Sequence, residues 1–116
     1  MVTMNELLAK RCIHLEHGLS DADIDTYLPA VPGWTKSDGK IVKTFSFRDY
    51  HDTLAFVNAI AYVIHAEDHH PELVVTYNRC AVKFDTHSVN GGKGGISEND
   101  FICAAKVEAI YRQSAG

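Results

Sequence analysis

The chain is poor in the residues that build covalent or metal-clamped frameworks. It has three cysteines, Cys12, Cys80 and Cys103, an odd and widely separated set. No C-x-x-C pair occurs, so neither a disulfide framework nor a zinc knuckle is expected, and a reducing, intracellular compartment is. No run approaches the roughly 20 apolar residues that span a bilayer, and Met1 to Arg11 lacks the apolar core of a signal peptide. Positive charge is also short. Eleven Lys and Arg against fifteen Asp and Glu give a net charge of -4, so the basic footprint of a nucleic-acid binder is missing.

What is there is an ordinary globular composition, 46% hydrophobic and 22% charged, in 116 residues. That length suits one domain. Residues 1–18 read as an N-terminal arm or short helix, and residues 19–116 as a single domain. Among seven histidines, His14 and His17 in the arm read as surface residues. His69, His70 and His87 fall where the backbone is expected to turn, so their side chains can converge on a pocket. Imidazole gives or takes a proton near neutral pH, which makes this group the candidate chemistry.

Ser20 stands three residues before Asp23, the pattern of a capping box, and predicts a short helix through Leu28 that Pro29 and Pro32 end. Gly33-Trp34 opens a strand, Ser37-Asp38-Gly39 reads as a hairpin turn, and Ile41 to Phe47 as the returning strand. Ile41, Phe45 and Phe47 share one face of it. Asp49 caps a long helix to about Glu67. That helix carries two apolar stripes, one of Leu54, Val57, Ala61 and Ile64, the other of Phe56, Ile60 and Val63. It therefore has two surfaces to bury, one on the sheet and one on another helix or subunit. Pro71 pushes His70 out of helical geometry, which stops the helix near His69-His70. Leu73–Tyr77 and Cys80–Thr86 read as two strands, with Cys80, Val82, Phe84 and Thr86 on one face. Ser88–Gly95 is a glycine-rich loop, and Ser97 with Asp100 caps a final helix. The order α-β-β-α-β-β-α implies an α+β fold: a four-stranded antiparallel sheet with helices packed on one face.

Other sites suggest themselves and fall short. His65 and His69 are four apart on a helix, which is ligand spacing, but H-E-x-x-H is absent because Ala66 follows His65. Gly91-Gly92-Lys93-Gly94-Gly95 does not match a phosphate loop. Cys80 and Cys103 read as buried small hydrophobes. Trp34 fits the core, or the wall of a pocket for a flat ligand.

The spacing as a whole has a counterpart. His65-x-x-x-His69-His70-Pro71, five residues to Tyr77, nine to His87 and twelve to Asp100 resembles the signature of the pterin-4a-carbinolamine dehydratases. Gly33-Trp34, Phe47-Arg48-Asp49-Tyr50, Tyr77-Asn78, Thr86-His87 and Gly95-Ile96-Ser97 match around it, and the resemblance runs from about Leu19 to Ile110. It implies a hydro-lyase that converts 4a-hydroxytetrahydrobiopterin to quinonoid dihydrobiopterin and water. That step recycles the pterin used by aromatic amino acid hydroxylases, so a hydroxylase is an implied partner. The resemblance also implies no metal, no added cofactor, a cytoplasmic enzyme with a nuclear pool, and a homodimer or homotetramer. His69 and His87 would be the acid/base pair, with His70 holding substrate near C4a. Asp68, His65, Thr86, Trp34 and Pro71 would line the substrate site, Asp68 as a partner for an imidazole or for the pterin amide edge.

Two departures stand out. The first signature position is most often acidic in the family and is His65 here; a cation there would lower a neighbouring imidazole's pKa instead of raising it. The loop Ser88–Gly95 is longer than in many members. Animal members also serve as dimerisation cofactors of a homeodomain transcription factor, so a protein-binding role, or action on another pterin, is the alternative.

Overall fold

The computed structural model describes residues 2–114. Its elements are α1 (Met4–Leu8), α2 (Asp21–Tyr27), β1 (Thr35–Ser37), β2 (Lys40–Ser46), α3 (Tyr50–Glu67), β3 (Glu72–Val75), β4 (Arg79–Phe84) and α4 (Glu98–Ser114), with single 3-10 turns at Leu28–Ala30 and Asn90–Gly92. The strands form one antiparallel sheet in the order β1-β2-β4-β3. This is the expected α+β architecture, preceded by one further short helix.

Local chemistry places each boundary. Ser20 Oγ accepts from the Asp23 amide and Asp49 Oδ1 from the Asp52 amide, so both expected caps form. Asp38 (φ 51°) and Gly39 (φ 76°) hold the β1–β2 turn in the left-handed region, the geometry of a two-residue hairpin. β4 stops at Phe84, two residues before the expected end. Thr86 instead exchanges both backbone hydrogen bonds with Gly95 (2.8 and 3.0 Å), which draws the glycine-rich loop back to the sheet. That loop is fastened: the Asn90 amide donates to Glu16 O, and Asn90 Oδ1 accepts from the Gly18 amide.

The core lies between the sheet and the helices. Ile41 and Phe45 of β2 and Cys80, Val82 and Phe84 of β4 meet Phe56 and Ile60 of α3 and the buried stretch Phe101–Ala105 of α4. Of the two stripes on α3, the one with Phe56, Ile60 and Val63 is buried. The other is buried only in part: Val57 and Ile64 pack against the core, Leu54 and Ala61 are exposed, and Tyr62 beside them is 77% exposed. Trp34 belongs to the core and not to a pocket wall. It is 3% exposed, packs on Phe45 and Phe84, and donates its indole N–H to Glu108. Glu108 also holds the Lys43 ammonium at 2.7 Å, which satisfies the lysine on the inward face of β2.

The arm is attached to this core. Leu7 of α1 is fully buried in it, and α1 lies on α4. Leu7→Ala is expected to cost about 2–5 kcal/mol in equilibrium urea unfolding, as for other large-to-small core changes. A cost within about 0.5 kcal/mol, the level of a surface substitution, would show that the arm adds nothing to the core.

Candidate active site

His69 reaches its place through the end of α3. Asp68 adopts a left-handed conformation (φ 50°, ψ 43°), and its amide bonds back to His65 O, while the His69 amide bonds back to Ile64 O. This is a Schellman-type stop. Aspartate tolerates the conformation better than most residues, and Pro71 prevents the helix from resuming. The reversal turns the His69 ring onto Phe84, parallel to within 6° at 5.9 Å between centroids.

The His69 ring meets a carboxylate there. Nε2 lies 2.5 Å from Oδ1 of Asp100, which has no solvent exposure. The other oxygen of Asp100 accepts from the Ser97 amide (2.8 Å) and from Thr86 Oγ1 (3.0 Å). Ser97 Oγ accepts from the Asn99 amide and lies 2.7 Å from Thr86 Oγ1. Ser97 and Asp100 are thus the expected capping box of α4. The box uses only one carboxylate oxygen and leaves the second for His69. An ionised carboxylate only accepts, so Nε2 is the donor to Asp100, and in a neutral ring that leaves the lone pair on Nδ1.

An open cleft of about 400 Å³ lies against His69. Asp68, Glu67, Thr86, Ser88 and Asn99 line one side of it. Cys12, Ile13, His14 and Leu15 of the arm line the other. The arm is clamped to both flanks of the His69–Asp100 pair. Asn99 Oδ1 accepts from the Ile13 amide and its Nδ2 donates to Ile13 O (3.2 and 2.7 Å). Glu67 accepts from the Cys12 amide (2.8 Å) and pairs with Arg11 and Lys106. Burial by itself would raise the Glu67 carboxyl. Lys106, the Cys12 amide and Arg11 together outweigh burial and hold it below the usual 4.5.

The remaining candidates are dispersed. His87 is 87% exposed, 3.4 Å from Asp85, and lines a separate, smaller hollow of about 320 Å³ with Asp38 and Gly92–Gly95. His70 is 72% exposed and 3.5 Å from Asp68. His65 is exposed on the last turn of α3, and Pro71 is half-buried beside His70. The three histidines therefore do not share one cavity in the single chain. Alternation past the end of β4 sends Thr86 inward and His87 outward. Among the described residues, no group of three or more His, Cys, Asp and Glu is arranged to hold a metal.

The arm residues and Asp100 as a histidine partner are what sequence reasoning did not place in the site. For Asp100 there was a signal: a capping carboxylate has a spare oxygen, and the signature already ended on it. For the arm there was none, since Asn99 and Ile13 are 86 residues apart.

The fold and site define an α+β domain with a buried carboxylate behind a cleft histidine. The family model described as pterin 4 alpha carbinolamine dehydratase matches residues 17–110, and the chain belongs to that family, a family of hydro-lyases. A relative from Bdellovibrio bacteriovorus, provisionally named a pterin-4-alpha-carbinolamine dehydratase, is 54% identical over 110 residues, 95% of this chain and 92% of its own. A relative from Stenotrophomonas maltophilia with the same provisional name is 47% identical, over 97% of this chain and 98% of its own. A crystal structure described as a transcriptional coactivator/pterin dehydratase from Brucella melitensis superposes with a TM-score of 0.73 at 34% identity, over 81% of this chain and 98% of that one. The arm residues 12–15 precede the segment that the family model matches.

Two outcomes test this geometry without an assay. In ¹⁵N-resolved NMR, His69 is expected as the Nε2–H tautomer; the Nδ1–H form would show that Asp100 does not hold the ring. Glu67, with its depressed pKa, stabilises the fold above the usual carboxylate value, and that stabilisation is lost as pH falls through its folded pKa. The stability gap between the wild type and Glu67→Gln is therefore expected to be full at neutral pH and to close below 4.5. A gap independent of pH would rule out the ion pairs as its source.

Proposed function

We propose that this chain dehydrates pterin-4a-carbinolamine to quinonoid dihydropterin and water by histidine acid–base catalysis. The observation that carries the reading is the 2.5 Å bond between His69 and buried Asp100 at the edge of an open cleft. The reaction needs a base for the N5 proton and an acid for the departing 4a-hydroxyl. Asp100 fixes the His69 tautomer and leaves Nδ1 as the base. His87, with the Asp85 carboxylate as its counter-charge, supplies the proton to the leaving oxygen. Its side chain is 87% exposed and so open to a ligand. His70 holds the substrate near C4a, and Asp68 accepts from the amide edge of the ring, with Pro71 and His65 beside them. Thr86 acts through Asp100. No step calls for a metal.

The same reading places the enzyme in the cytoplasm, recycling tetrahydrobiopterin for an aromatic amino acid hydroxylase, as a dimer or tetramer. The exposed Leu54 and Tyr62 on α3, and Val74 and Val75 on the edge strand β3, support self-association. That exposed α3 surface also supports a second reading, a protein-binding role, in keeping with the coactivator in the name of the Brucella melitensis structure.

The test is stopped-flow dehydration of 4a-hydroxytetrahydropterin, made in situ by a hydroxylase, with and without EDTA. Acceleration unaffected by EDTA is expected. His69→Ala and His87→Ala should each lower kcat by about 10²–10⁴-fold with an unchanged circular dichroism spectrum, and His70→Ala should act mainly on KM. An unchanged rate in both of the first two variants would remove the acid–base assignment. No acceleration by folded wild type would leave the protein-binding reading.

A further inference from the structure

Cys12 and Cys103 are 91 positions apart in the chain, yet their sulfurs lie 3.5 Å from each other. The two thiols differ in access. Cys12 is half-buried and lines the open cleft beside His69. Cys103, in the second turn of α4, has no solvent exposure. The contact is held by the fold and not by the thiols themselves. The Cys12 amide is bonded to Glu67, its neighbour Ile13 is clamped on both backbone groups by Asn99, and Cys12 Sγ also lies 3.6 Å from Asn99 O. From that position the sulfurs need to approach by only about 1.5 Å to reach disulfide bonding distance. Rotation of the Cys12 side chain alone is a motion of that size. The third cysteine, Cys80, is buried on the inner face of β4.

We propose that Cys12 and Cys103 form an oxidation site: peroxides or small disulfides attack through Cys12, and Cys103 resolves the product into an intramolecular disulfide. With hydrogen peroxide, Cys12–SH becomes Cys12–SOH and one water leaves. Cys103 then displaces the hydroxyl, whose departure with the Cys103 proton makes the second water. Both thiols are oxidised together by two electrons, and the peroxide is reduced by the same two. With glutathione disulfide, Cys12 forms a mixed disulfide and releases one glutathione, and Cys103 releases the second. The order of attack follows from access and from ionisation. The thiolate is the reactive form, and the hydrogen bond with Cys12 followed by burial pushes the Cys103 thiol up, so Cys103 does not initiate. Burial also pushes Cys80 up, which leaves it a bystander.

The product ties the arm wall of the cleft to α4. It also clears the cleft, because resolution removes the glutathionyl group that would otherwise lie beside His69. The inference holds whatever substrate the cleft takes.

The experiment treats the full chain with glutathione disulfide at pH 8 and reads intact mass, thiol titre and a non-reduced peptide map. The wild type is expected to fall from three titratable thiols in denaturant to one, to lose the mass of two hydrogens, and to yield a Cys12–Cys103 cross-linked peptide. Cys103→Ser is expected to stop with one glutathionyl group on Cys12, and Cys12→Ser to remain unmodified. The oxidised wild type should melt at a higher temperature than the reduced form. Three intact thiols in treated wild type, a stable glutathione adduct on it, or a cross-link that includes Cys80 would each overturn the proposal. Wild type is scored alone should either variant fail to fold.

Discussion

A carboxylate with no access to water must be met by donors, and Asp100 collects them from three separate parts of the chain. The Ser97 amide comes from the start of α4, the Thr86 hydroxyl from the exit of β4, and the His69 ring from the exit of α3. Leaving such a group unpaired is costly, because desolvation is not repaid. The three segments are therefore held to one point. This is why a residue that begins as a helix cap ends as the anchor of the cleft histidine. The aromatic stack of His69 on Phe84, itself packed on Trp34, links that point to the core.

The second constraint is the N-terminal arm. It enters the core through Leu7 and then crosses from Glu67 to Asn99, the residues next to Asp68–His69 and to Asp100. The backbone of Cys12 and Ile13 is fixed by hydrogen bonds, and their side chains become a wall of the cleft. Part of the site thus lies outside the segment that marks the family. Relatives that share the family signature can differ in this wall without any change to the signature. The same route brings Cys12 to Cys103, so one structural device sets both the shape of the cleft and its exposure to oxidants.

Much of the fold was legible because its signals are local. Capping residues at Ser20, Asp49 and Ser97, the Asp38-Gly39 turn, and alternation along β2 and β4 are each decided within a few residues. The two stripes on α3 were also readable: the Phe56 stripe is buried throughout, and the other packs on the core through Val57 and Ile64 while Leu54 and Ala61 stay exposed. The end of β4 was less legible. Residues to Thr86 keep the strand pattern, but pairing partners on β2 run out at Ile41 opposite Phe84. Trp34 could be read as core or pocket wall, since an indole suits both. Burial against Glu108 and Phe84 decides for the core.

The sequence by itself determined the elements, the α+β class, the family, and the presence of His69, His70 and His87 at chain reversals. Periodicity, caps and signature spacing act over short stretches and need no tertiary partner. Only the tertiary structure decided which histidine faces a buried carboxylate, that His87 and His69 open onto different hollows, and that the arm completes the cleft. Those outcomes depend on contacts between residues 31 to 91 positions apart. Spacing along the chain carries no information about such contacts until the core has packed and every buried polar group has found its partner.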